Sequence, residues 1–119
     1  DGGSIINIAS ILAERVGPNL SSYASAKAAL VQLTKSMALE LARSNIRVNA
    51  LAPGYILTEI NQDFFNTDEG KSYIGKIPMK RLGLESELDG ALLLLASNTS
   101  SFMTGSVITV DGGHLVNPL

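Results

Sequence analysis

Two kinds of stretch follow one another along the chain, short continuous apolar runs and longer segments with helical spacing. Ser4-Ile5-Ile6-Asn7-Ile8-Ala9 is a near-continuous apolar run after the turn Asp1-Gly2-Gly3, the pattern of a strand buried on both faces of a parallel sheet. From Ile11 to Leu20 the pattern breaks, with Gly17-Pro18 as punctuation. Ser21 or Ser22 then offers a side chain to cap a helix. The spacing predicts that helix to about Arg43, with Leu30, Leu33, Met37 and Leu41 on one face. Small residues fill its first turns (Ala24, Ser25, Ala26, Ala28, Ala29), which permits close packing against another helix. Arg43-Ser44-Asn45 ends it.

Ile46 to Ala52 reads as the next strand, stopped by Pro53-Gly54. Strand, helix and returning strand form a βαβ unit with a right-handed crossover. Thr58 to Lys80 holds two short helices, around Ile60–Phe65 and Asp68–Ile74. A third helix over about Ser86–Ser97 carries Leu88, Leu92 and Leu95, and Ser106–Val110 is a last strand closed by Asp111-Gly112-Gly113. The first of these three strands is apolar enough to need neighbours on both sides, and parallel sheets are covered on both faces. The fold class expected is therefore α/β, the C-terminal half of a doubly wound, Rossmann-type parallel sheet. Residues 1–119 would form part of a single domain, with the remaining strands on chain outside them.

Composition sharpens this picture. Hydrophobic residues make up 45% of the 119 positions and charged ones 17%, apolar for a small domain with so much surface to cover. The excess points to surface meant for burial against further chain or other subunits. A net charge of −2 with no dense basic run excludes nucleic acid and anionic membrane as partners. The longest apolar run, Ala91–Ala96, is far too short to span a bilayer. The absence of cysteine excludes a disulfide framework and a thiolate metal site, and suits a reducing cytoplasm. No cluster of His, Asp or Glu has metal-ligand spacing.

The candidate chemistry lies between Ser10 and Lys27. Tyr23 and Lys27 are four residues apart, so on a helix they share a face. A cation beside a phenol favours the phenolate, which would let Tyr23 exchange a proton closer to neutral pH. Ser10 stands where the first strand should end, the edge at which open α/β sheets bind ligands. Its hydroxyl can donate to a carbonyl oxygen as negative charge develops there. Together the three make a site for moving a proton onto or off a carbonyl-derived oxygen.

Serine, twelve residues, tyrosine, three residues, lysine resembles the catalytic signature of the short-chain dehydrogenase/reductase family. Three further segments match the family in order: NALAPGYILTE at 49–59, RLG with a following acidic helix at 81–96, and TGSVITVDGG at 104–113. The resemblance implies a general acid/base role for Tyr23, substrate-oxygen binding for Ser10, and binding of the nicotinamide ribose by Lys27. It implies NAD or NADP as cofactor, held further by Pro53, Gly54, the Ile56 backbone and the Thr58 hydroxyl. Asn49 resembles a family asparagine of structural importance. The small-molecule substrate, a carbonyl or alcohol compound, would meet Ser10, Ile11, Leu12, Val16, Ile60 and Phe64, with Phe65 as a further candidate. Their mixed aliphatic and aromatic character permits a medium-sized apolar or amphipathic compound and does not choose among acyl thioesters, sugars, polyols and steroids. Within the family the chain is most similar to 3-oxoacyl-carrier-protein reductases and sugar or polyol dehydrogenases.

The family's Gly-rich pyrophosphate loop, the residue that selects NAD or NADP, and a fourth catalytic residue, an asparagine, have no counterpart in these residues. They would lie on the N-terminal half of the fold. Family dimers and tetramers meet through the 22–43 helix and the last helix and strand, so a homo-oligomer, a tetramer or dimer, is expected. The alternative to an enzyme is a catalytically inactive fragment serving as a binding or oligomerisation module. His114, the one histidine, reads as a surface or interface residue rather than a catalyst.

The polar, glycine-interrupted segment after Thr58 suits a lid that orders over ligand. Without cofactor it is expected to exchange its amide hydrogens faster than the Ser22–Arg43 helix does. Equal protection of the two segments would rule a lid out.

Overall fold

The computed structural model describes residues 1–118. Three strands, β1 (Gly3–Ile8), β2 (Ile46–Pro53) and β3 (Val107–Val110), lie side by side in that order. All are parallel, with Gly3 opposite Ile46, Ile8 opposite Leu51, Ala50 opposite Val107 and Pro53 opposite Val110. The central strand β2 is the core of the molecule: Val48, Asn49, Ala50, Leu51 and Ala52 are all buried. β1 departs from expectation. Its residues are only partly covered and Ile8 is 47% exposed, because among the described residues a strand flanks it on the β2 side alone.

Helix α1 (Ser21–Leu41) links β1 to β2. It starts without the serine cap expected: Leu20 is the N-cap residue and no side chain bonds there, while Ser21 and Ser22 lie exposed in the first turn. Its buried contacts also shift. Thr34 and Ala38 are the fully buried positions, Leu30, Met37 and Leu41 are half-buried, and Leu33 is turned to solvent. A helix meeting a sheet through small side chains approaches it closely, and Thr34 uses that approach. Its hydroxyl donates to the Leu30 carbonyl at 2.8 Å and accepts from Asn7 Nδ2 of β1 at 3.0 Å. The helix closes in a 3₁₀ turn, Ala42–Ser44, and Asn45 adopts a left-handed conformation (φ 57°) as a C-cap.

Past β2 lie α2 (Gln62–Phe65) and α3 (Asp68–Gly75), the two short helices expected. The Thr67 side chain caps α3 by accepting from Gly70 N at 3.1 Å. α4 (Asp89–Ala96) is shorter than its pattern suggests, since Glu85–Leu88 forms a 3₁₀ turn. There the Glu87 carboxylate accepts from Leu84 N (2.9 Å) and from both terminal nitrogens of Arg81 (2.7 and 2.9 Å).

Polar side chains lock the far end of the sheet. Asn49, wholly buried, donates to Met103 O and accepts from Ser106 N, both at 3.0 Å. It therefore ties β2 to the loop feeding β3, the structural role expected of it. Arg47 donates to the Leu95, Ser97 and Met103 carbonyls and to Ser100 Oγ, at 2.9–3.3 Å. One of them, Leu95 O near the C-terminus of α4, is shared with the Ser4 hydroxyl at 2.6 Å.

Replacing Arg47 by Met keeps the aliphatic stem and removes four hydrogen bonds from a charged donor. The expected loss is about 2–3 kcal/mol, read as a lower denaturant midpoint at unchanged m-value. The Arg81 guanidinium and Leu84 N–H hold the Glu87 carboxyl at about 2, below the usual 4.5. A lowered carboxylate stabilises the fold above its usual pKa and loses that contribution as pH falls through the folded one. The stability difference between wild type and Glu87→Gln is therefore expected to be constant at neutral pH and to close between pH 4.5 and 2. A difference that stays constant across that window would refute the linkage.

Candidate active site

The parallel sheet sends the carboxyl ends of all three strands to one edge, and the chemistry gathers there. β1 ends at Ile8, and Ala9 N still reaches Leu51 O at 2.7 Å, so the chain leaves the sheet at Ser10. Ser10 is buried, has an extended backbone and caps the 3₁₀ turn Ile11–Ala13. Its Oγ accepts from Leu12 N at 3.1 Å. With that acceptor interaction fixing the oxygen, the hydroxyl proton is free among the described residues to donate to a ligand.

Tyr23 and Lys27 lie in the first two turns of α1, which packs against the Ile11–Ala13 turn. Lys27 Nζ is 5.6 Å from the Tyr23 ring centroid and donates to the Ile8 carbonyl at 2.8 Å. That carbonyl belongs to the last residue of β1, two residues before Ser10. One ammonium thus joins helix, phenol and strand end, and keeps two further protons for other acceptors. Tyr23 is 45% exposed.

At the end of β2, Pro53 closes the strand and Gly54 N donates to Val110 O at 2.9 Å. The glycine is required by the chain itself rather than by an open ligand surface, because a Cβ there would fall 2.7 Å from the Asp111 Cβ. Ile56 bridges to Gly83, its carbonyl accepts from Asn61 Nδ2 at 2.8 Å, and its N–H makes no hydrogen bond among the described residues. Thr58 is held in a reciprocal turn. Its N–H donates to Asn61 Oδ1 (2.9 Å) and its Oγ1 accepts from Asn61 N (3.3 Å).

The apolar candidates separate. Ile11 is buried, yet it lines a cavity with Leu12 and Val16. Ile60 is 97% exposed and lines neither this cavity nor the one beside Phe64. Phe64 and Phe65 border a second cavity beside Leu20, just before α1. They belong to an aromatic cluster centred on Tyr55, whose ring lies 5.8 Å from Phe65, 6.0 Å from Tyr73 and 5.1 Å from His114. Burial, with Tyr73 adding to it, raises the Tyr55 pKa.

Tyr55, Tyr73, Arg15, Lys76 and His114 carry no chemical role in the sequence pattern, and the fold brings all five to this edge. The available signal was topological. His114 follows the last strand of a parallel sheet, so it emerges where Ser10 and Pro53 do. Among the described residues no group of His, Asp and Glu is placed to hold a metal ion, and no helix is long and apolar enough to cross a membrane.

Comparison with known proteins agrees with this geometry. The family model described as enoyl-(acyl carrier protein) reductase matches residues 1–114. The chain is 43% identical over 115 residues to a 2-dehydro-3-deoxy-D-gluconate 5-dehydrogenase of Dickeya dadantii, covering 96% of this chain and 46% of that protein. It is 40% identical over 111 residues to a 3-oxoacyl-(acyl-carrier-protein) reductase of Chlamydia trachomatis, covering 93% and 44%. The crystal structure of a gluconate 5-dehydrogenase from Burkholderia cenocepacia, in complex with NADP and tartrate, superposes with a TM-score of 0.89 at 39% identity, covering 94% and 44%. The chain thus spans about half the length of the curated relatives it matches, and the structural match places it within their Rossmann-type parallel sheet. With the serine, tyrosine and lysine gathered at the strand ends, it belongs to the short-chain dehydrogenase/reductase family.

Proposed function

We propose that this chain supplies the proton-transfer and substrate side of an NAD(P)-dependent oxidoreductase that interconverts a ketone and a secondary alcohol. On this reading residues 1–119 are the C-terminal part of one NAD(P)-binding domain, completed by an N-terminal half carrying the pyrophosphate loop. The observation that carries the proposal is the Lys27 ammonium, bonded to the end of β1 and set beside the Tyr23 ring.

A nicotinamide cofactor held at this edge would supply the hydride taken up by the carbonyl carbon. The chain's own residues handle the oxygen. Ser10 donates its hydroxyl proton as a hydrogen bond to the carbonyl oxygen and holds it as charge develops. Tyr23 passes its phenolic proton to that oxygen, and the Lys27 ammonium stabilises the phenolate left behind. Solvent then restores the phenol, and in the oxidising direction each transfer reverses.

The donor set at the strand ends suits a nicotinamide nucleotide. Lys27 keeps two protons for ribose hydroxyls, the Ile56 N–H is unpaired among the described residues, and the Thr58 hydroxyl keeps its proton for an amide or phosphate oxygen. The relatives support the same reading, since one is named as a complex with NADP. The exposed small residues of α1 and the exposed Leu39 fit a helix-to-helix contact between subunits of a homo-oligomer, a tetramer or dimer. The cysteine-free composition fits the cytoplasm.

Tyr23→Phe in the full-length protein tests the mechanism. Turnover is expected to fall by roughly 10²–10⁴-fold or more, while nicotinamide fluorescence titrations give nearly unchanged affinity for NADH and NADPH. Turnover at the wild-type rate would remove the phenol from the mechanism.

A further inference from the structure

Two cations and a histidine line the cavity bordered by Ile11 and Leu12, the two residues that follow Ser10 in the chain. Ile11 and Leu12 are the first residues of the turn that Ser10 caps, and Arg15, Lys76 and His114 line the same cavity. The three polar residues come from separate parts of the chain: the loop before α1, the C-cap of α3 and the turn after β3.

Each is placed by its own contacts. Arg15 N donates to Ile11 O at 3.0 Å, so Arg15 follows Ile11 by one helical turn. Its Nη1 donates to Leu115 O at 3.2 Å, and its other guanidinium donors make no hydrogen bond among the described residues. Lys76 Nζ lies 5.3 Å from the Tyr73 ring centroid and has no carboxylate partner among those residues. The carboxylate nearest in chain to His114, that of Asp111, accepts instead from Gly113 N (2.9 Å) and Leu115 N (2.8 Å).

His114 supplies the most pointed observation. Its Nδ1 is buried and without a hydrogen-bond partner, and native structures seldom leave a buried polar atom idle. Burial lowers its pKa, Asp111 opposes that shift, and Arg15 and Lys76 add to it. The ring is therefore neutral near pH 7 and offers a hydrogen bond without a charge. Two unpaired cations and a waiting polar nitrogen around one cavity describe an anion site. The cavity measures about 140 Å³, less than the roughly 300–1,000 Å³ of pockets for drug-sized ligands. A space of that size fits the polar end group of a ligand.

We infer that this cavity binds the carboxylate of the substrate between Arg15, Lys76 and His114, making the substrate a small keto acid or hydroxy acid whose reacting carbon lies at Ser10. The inference rests on the oxidoreductase reading above for the reacting end, and on the cavity alone for the anionic end.

The test uses the full-length protein with acetoacetate, 4-oxopentanoate and the methyl esters of both, followed by NADH or NADPH oxidation. Wild type is expected to prefer at least one acid over its ester in kcat/KM by about tenfold or more (~1.4 kcal/mol). Lys76→Met and Arg15→Met are each expected to cut that acid-to-ester ratio about tenfold through the KM of the acid, with Arg15→Lys retaining part of it. Arg15 also bonds Leu115, so Lys76→Met, which removes no protein hydrogen bond, decides the outcome if the Arg15 variants misfold. Turnover without acid preference, or equal losses on acid and ester in Lys76→Met, overturns the anion site and leaves the oxidoreductase standing. If no ketone turns over, calorimetric binding of 4-oxopentanoate that Lys76→Met abolishes sustains the anion site and sinks the oxidoreductase instead. Neither turnover nor binding overturns the anion site as well.

Discussion

A single ammonium organises the edge of this sheet. Lys27 reaches from the second turn of α1 to the last carbonyl of β1, a group that strand pairing leaves available where the chain turns away. A charge-assisted hydrogen bond of this kind is roughly twice as strong as a neutral one. It fixes the rotation of α1 about its own axis, and that rotation sets where the Tyr23 ring stands relative to the turn after β1. Thr34 supports the same arrangement two helical turns on, where its hydroxyl meets Asn7 of the same strand. Two polar contacts from one helix face to one strand leave the phenol little freedom to wander.

The remaining elements position what faces this pair. Arg47 and Asn49 fasten the opposite, amino-side region of the sheet to the α4 terminus and the loop before β3. The strands are thereby held in register at that end, while at the carboxyl ends the helix is fastened through Lys27 to the Ile8 carbonyl. A rigid scaffold of this kind suits chemistry carried by loops.

Much of this was legible in the residues. The continuous apolar runs marked the strands, because a parallel sheet buries both faces of its members, and the tyrosine and lysine at i, i+4 marked the reacting face of the helix. Misplaced details share a cause. Ser21 and Ser22 look like caps, but Leu20 already occupies that position and leaves them facing solvent. Leu33 sits on the apolar stripe by spacing, yet Thr34 and Ala38 take the sheet contact because smaller side chains let the backbones approach. Local pattern ranks hydrophobicity, whereas packing selects for size. The cluster of Tyr55, Tyr73, Lys76 and His114 was hidden for another reason: its members are up to 59 residues apart in the chain and meet only once three parallel strands share an edge.

The contact of Gly54 with Asp111 has a bearing on how this edge can vary. Asp111 carries the turn that presents His114, and its β-carbon rests against the place where a side chain at position 54 would stand. Any bulk introduced after β2 would displace the aspartate and swing the C-terminal turn with it. The walls of the cleft therefore share a hinge pin, and a chain that drifts toward new ligands has to change them as a pair.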